Sequence, residues 1–269
     1  MQLNTFFQIT LIKINSMKKL YAIFLFLVCL TLISSAQKSN LTNDSKYTIG
    51  LFGGLNLPRL SGGNGNELSR DYTSRSGTAF GLTSSLYLGS NFSLSLDLMY
   101  SSEGGKRNGV QAFDASSVNP LVPAGTYFYA KFDNTSILNY FEMPVLVKYS
   151  IPISRYEKFF VDFGPYIGYL SNAKQKTSGS SYIYADRAET QQVAQDAVSF
   201  NASKDITNDI NSVNFGLTGG GGFSQRVNSG EVFIDVRGAY GLLVIQKDKA
   251  NGSSHSGNLL IDLGYALHF

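Results

Sequence analysis

Tryptophan is absent from the 269 residues, and cysteine occurs once, at Cys29. That cysteine lies inside an apolar leader, so the chain that follows has neither a disulfide framework nor a thiolate metal site. Charge is also scarce: Asp, Glu, Lys and Arg make up 15% of residues, against about 25% in soluble domains. Pro numbers 6 and His only 2. The profile excludes a disordered chain, a coiled coil and a nucleic-acid binder with a basic face. After the leader, no stretch reaches 18 apolar residues, so no helical membrane span is expected. Abundance lies elsewhere, in 19 Phe, 16 Tyr and 27 Gly.

The leader has the parts of a secretory signal. Met17-Lys18-Lys19 is a basic start, Leu20 to Ile33 is almost unbroken apolar sequence, and Ser34-Ser35-Ala36 precedes Gln37. Small residues in that spacing predict cleavage after Ala36. The run is too short for a membrane helix of about 20 residues. Met1 to Ser16 reads as an upstream extension, and Val28 before Cys29 is too large for a lipoprotein site. Lys13, Lys18 and Lys19 are the leader's only charges; without them 19 basic residues from the original 22 face 19 acidic ones. The exported chain is therefore neutral, with no electrostatic case for an anionic partner. The expected plan is extension plus signal over 1–36, a short periplasmic segment over 37–46, and one domain over 47–269.

That domain alternates with period two. Phe92, Leu94, Leu96, Leu98 and Tyr100 interleave with Ser93, Ser95, Asp97, Met99 and Ser101. The chain end repeats the pattern from Leu259 to Phe269. Side chains of a strand alternate between faces, so each such segment has one apolar side. Eight segments are predicted: 47–57, 78–88, 92–102, 139–150, 159–170, 212–225, 231–242 and 258–269. Each suits a tilted strand crossing a bilayer, roughly 9–11 residues or slightly more. Three connections are short, around Ser90, Arg155 and Asn228; the other four, over 58–77, 103–138, 171–211 and 243–257, are long. Short turns at one end and long loops at the other predict an all-β, eight-stranded, antiparallel up-and-down transmembrane β-barrel. A secreted lipocalin-like barrel shares the alternation. Here, however, the second face is small: Asn214, Gly216, Thr218, Gly220, Gly222 and Ser224 share one side, as the inside of a narrow barrel requires. Tyr47, Phe92, Tyr149, Phe159 and Phe269 near strand ends suggest an interfacial aromatic girdle.

Tyr140-Phe141-Glu142-Met143-Pro144-Val145-Leu146-Val147-Lys148-Tyr149 resembles a strand of the PorT-like outer-membrane β-barrel family. Ile49 to Asn56 and Phe163-Gly164-Pro165-Tyr166-Ile167-Gly168 are similar to further family segments. The resemblance spans Tyr47 to the end except for the long loops. It implies the barrel fold and the cell outer membrane of a Gram-negative envelope, and makes Phe269 the C-terminal signal read by barrel-assembly machinery. It does not carry over the secretion role of the family's name-giving member. Pro144 inside a strand lacks a ladder donor and predicts a bulge or irregularity there.

The phasing points Asp97, Glu142, Lys148, Asp162, Asp235, Arg237 and Asp262 into the lumen, with His268 inward at the rim. Buried charges must pair, so this set reads as a charge network plugging a barrel too narrow for an aqueous channel. No catalytic, cofactor-binding or metal-ligating residue is expected. His255 sits beside Ser253, Ser254 and Ser256, but a Gly/Ser-rich loop does not hold a nucleophile and base in register. Gly219 to Gly222 lies in a strand without the Lys-Ser/Thr of a phosphate loop. Asp205 to Asn211 has cation-friendly oxygens without EF-hand spacing. In the longest loop, Arg187 to Val198 is predicted as a short helix, and Tyr182, Tyr184 and Arg187 are the partner-binding candidates. The Phe113 and Tyr127–Tyr129 loop is expected to fold against it. The function expected is a non-enzymatic structural, adhesion-like or envelope-assembly barrel, in contact with outer-membrane lipid and an envelope protein, and not with nucleic acid. The alternatives are a lipid A deacylase-like enzyme or a small passive channel.

Overall fold

The computed structural model describes residues 46–269 except 90, 118–120 and 124. The leader and most of the segment over 37–46 lie outside the described residues. Eight long strands dominate: β1 (Tyr47–Ser61), β2 (Gly77–Tyr87), β3 (Phe92–Arg107), β4 (Asp133–Pro152), β5 (Glu157–Ser178), β6 (Val213–Val227), β7 (Gly230–Gly241) and β8 (His255–His268). Each pairs antiparallel with its sequence neighbours, and β8 pairs with β1. The sheet is thus a closed up-and-down barrel with no free edge, as the alternation predicts.

The faces settle which medium surrounds it. On β3, Phe92, Leu94, Leu96 and Leu98 are 39–52% exposed, while Ser93, Ser95 and Asp97 are at most 2% exposed. A water-soluble barrel would reverse this order, because large apolar side chains gain by leaving water. The outer wall is therefore a lipid-facing one. Aromatic residues bound it at both ends. At the turn end, Phe92 packs on Tyr149 and Phe159 on Phe223, at 4.9 and 5.5 Å between ring centres. At the loop end Phe80, Tyr100, Phe141 and Tyr169 stand in one cross-strand row, a second belt that sequence inspection overlooked. Phe92 and Tyr100 are separated by about 26 Å of strand. Tilted by roughly 40°, that covers about 20 Å, close to the apolar band of such barrels at about 25 Å.

Several strands outrun their predicted limits, by one or two residues at the turn end and by up to eight at the loop end. β3 continues through Glu103 to Arg107, β4 starts at Asp133, and β5 reaches Ser178. Beyond the lipid both faces are polar: Lys106, Lys174 and Lys176 point out while Arg107, Asn134 and Gln175 point in. Polar-polar sequence carries no alternation, so the ladder there is invisible to it. In the other direction, β8 ends at His268 rather than Phe269. The loops shrink accordingly, and two contain small sheets of their own, Val110–Asp114 with Tyr127–Lys131 and Ser180–Ser181 with Val198–Ser199.

Pro144 interrupts the ladder without shifting it. The pairing with β3 skips from Val145 to Glu142, and that with β5 skips from Pro144 to Val147 in unchanged register. The register shift lies instead at Asn139/Tyr140. Opposite the interruption the backbones approach closely: a Cβ on Gly164 would stand 1.9 Å from the Val145 carbonyl oxygen. Glycine is required there.

Candidate functional site

The lumen is filled in layers. At its centre Arg237, 5% exposed, meets three carboxylates. Its Nη1 donates to Asp97 Oδ2 at 2.6 Å and its Nη2 to Asp262 Oδ2 at 3.4 Å. Its Nε lies 2.9 Å from Asp235 Oδ2, close enough for ionic attraction but too bent for a hydrogen bond. Phe52 faces the guanidinium at 5.7 Å. Lys148 Nζ sits 3.8 Å from Asp162 and 4.1 Å from the centre of the Phe160 ring. The small face of β6 makes room for these groups. A Cβ on Gly220 would come within 2.8 Å of Arg237 Cγ, and one on Gly222 within 2.5 Å of Phe160 Cζ.

Six of the seven predicted lumen residues gather in this layer. Glu142 does not. It lies one layer toward the loops, beside Glu103, whose Oε1 accepts from Asn258 Nδ2 at 2.7 Å. Asn56 donates to Ser101, and Asn214 to Tyr166 and Ser256, on the same level. Glu103 escaped sequence reading because it fell in a predicted loop; its signal was the continuing Ser101-Ser102-Glu103 phase. At the turn end Lys158 Nζ pairs with Glu231 at 2.7 Å and donates to Tyr87, with His268 Nε2 3.5 Å from Glu231. His268 is inward, as phased. Two voids in the plug are about 20 Å³ each, room for a water apiece.

Above the plug, Leu60, Leu138, Ile210 and Ile245 form an apolar floor. Over it opens a cavity of about 540 Å³, walled by strand ends and loops. The loops are cross-braced. Tyr129 and Tyr184 exchange main-chain hydrogen bonds at 2.8 and 2.9 Å, so the two long loops do fold against each other. Arg187 pairs with Glu67 at 3.2 Å and Asp71 at 2.7 Å. That hydrogen bond from Arg187 holds the Asp71 carboxyl below its ordinary range, overcoming slight desolvation.

The helix predicted over 187–198 does not form. Asp186 accepts from the backbone N–H of Thr190 and Gln191, and Glu189 turns at φ 60°. An Asp side chain that satisfies local N–H groups competes with the helical ladder. Of the partner-binding candidates, Arg187 is a brace, Tyr184 is zipped by its backbone, and Tyr182 remains 45% exposed. The stabilisation from Asp71 is fully present above the ordinary carboxylate range and is lost as pH falls through its lowered value. Because the pairs are partly exposed, Arg187→Ala is expected to cost under about 1 kcal/mol. Limited proteolysis should show faster cleavage within 182–198, in the variant at neutral pH and in the parent at strongly acid pH, with barrel melting unchanged. Equal cleavage rates would mean that the brace does not order the loop.

His255 stands at the start of β8, its Nδ1 3.1 Å from the Gly241 carbonyl and its ring stacked on Tyr240. Asp205 spends one oxygen on the Thr207 N–H.

The profile of the family described as outer membrane protein beta-barrel domain matches residues 35–245. No curated protein sequence matches the chain. Among solved structures it is similar to Neisserial surface protein A, with 11% identity and a TM-score of 0.42 over 84% of this chain and 98% of that one. Ail of Yersinia pestis matches with 12% identity and a TM-score of 0.38 over 82% and 99%. For OprG of Pseudomonas aeruginosa the values are 12%, 0.36, 84% and 98%. With the closed lipid-facing barrel and a family match over most of its length, the chain belongs to the outer membrane protein β-barrel domain family and is an outer-membrane protein.

Proposed function

We propose that this barrel is a non-enzymatic component of a Gram-negative envelope whose extracellular loop crown docks a protein partner. In this reading the leader is cleaved after Ala36, and Phe269 is read by the barrel-assembly machinery. The observation that carries it is the crown itself: loops from three different hairpins are tied together by the Tyr129–Tyr184 pairing and the Arg187 ion pairs. Ordering a loop costs conformational entropy. A crown ordered in advance spares a partner that cost on docking, whereas a mere shield over the mouth gains nothing from bracing. The plug beneath favours anchorage over transport.

Removal of Tyr182–Val198 is expected to leave the barrel assembled and shifted on an unheated gel, yet to abolish cross-linking to the partner in intact cells. A deletion strain that still captures every protein captured by the parent would refute the docking role.

A further inference from the structure

The cavity at the loop end has a property that partner docking does not explain. Its volume of about 540 Å³ lies within the roughly 300–1,000 Å³ of small-molecule sites. Its floor is apolar, and Phe113, Phe132 and Phe200 line one wall. Phe132 and Phe200 stack at 4.6 Å, with Phe113 5.6 Å from Phe200, so the wall is held in shape by its own rings.

Into this wall the end of β3 sets Arg107, only 6% exposed. Its guanidinium lies 5.0 Å from the Tyr72 ring centre. Nη1 reaches two carbonyl oxygens at the long distances of 3.3 and 3.4 Å, those of Arg70 and Glu67, and Nε has no protein acceptor. Among the described residues no carboxylate lies within ion-pair distance of it. The acids nearest in charge, Glu67 and Asp71, are already engaged by Arg70 and Arg187. Asp114 on the lining accepts from Ser116. Lys204 and Asp209 are exposed at the rim and screened by solvent.

A buried cation is ordinarily paired, and guanidinium fits carboxylate with two parallel hydrogen bonds. We propose that the cavity binds a small organic carboxylate, its apolar body on the Phe113–Phe132–Phe200 wall and its anionic end on Arg107. This goes beyond the docking role and stands without it. The ligand's body is either aromatic or a short acyl chain; the shared element is one carboxylate on a compact apolar group.

The test is calorimetric titration of the full barrel in nanodiscs with naphthoate, octanoate and the neutral naphthamide, against empty nanodiscs. At least one carboxylate should bind saturably, with naphthamide weaker than naphthoate by about tenfold. Tighter naphthoate assigns an aromatic ligand, tighter octanoate an acyl one. Arg107→Met should erase the preference for the acid. Ile245→Trp keeps Arg107 and narrows the cavity at its floor, so it should weaken the acid and the amide alike even if the arginine variant fails to fold. Absence of carboxylate binding above the empty discs, or naphthamide binding as tightly as naphthoate, overturns the proposal.

Discussion

Arg237→Met should destabilise the folded barrel by about 3–5 kcal/mol, the usual cost of removing one partner from a buried ionic cluster. The substitution keeps most of the side-chain volume but strands Asp97, Asp235 and Asp262, each at most 2% exposed, without their common cation. The direction of the effect comes from desolvation, not from the loss of attraction alone. Restoring neutrality therefore tests the explanation: Arg237→Met combined with Asp97→Asn, Asp235→Asn and Asp262→Asn should recover most of the loss. Unfolding in urea, followed by gel mobility of unheated samples, measures both. An Arg237→Met barrel as stable as the parent would mean that the guanidinium does not hold the three carboxylates together. Residues in one network couple strongly, so the quadruple variant must depart from additivity.

Leu96→Arg should cost about 2–4 kcal/mol, the penalty for an arginine at the lipid midplane of such barrels. Leu96 is midway between Phe92 and Tyr100, the two belt positions of β3, and is 41% exposed. In water a residue that exposed would tolerate arginine almost freely. The control is Val193→Arg in the loop crown, where 50% exposure predicts a change within about 0.5 kcal/mol. Equal tolerance at both positions would mean that water, not lipid, surrounds the β3 wall.

The strands that cross the lipid are those the alternation predicts, and the reason is physical. Leu94 and Ser95 face media of opposite polarity, so the boundary is written residue by residue. The lumen charges follow from the same phase, since a position two residues from Asp97 must share its side of the sheet. Where both faces are polar that information vanishes, and Glu103, Arg107 and the outer thirds of β4 and β5 pass for loop. Pro144 shows the same limit in another form: the missing donor predicts an irregularity, but the register shift fell at Asn139/Tyr140, where no residue type announces it.

Membership of the lumen is thus a local property, while partnership within it is not. Arg237 on β7 reaches Asp97 on β3 because barrel closure brings residues 140 positions apart into contact. Glu142, on the same inward phase, meets Glu103 instead, because strand tilt and stagger set its height. The failed helix over 187–198 and the Arg187 brace have the same origin. Asp186 found backbone N–H groups of its own, and Arg187 found acids in a loop more than 100 residues earlier. Period-two polarity specifies a strand's face and its medium from the chain alone. Pairing across the closed barrel, the cavity above the plug and the uncompensated charge of Arg107 arise only when distant segments share a volume.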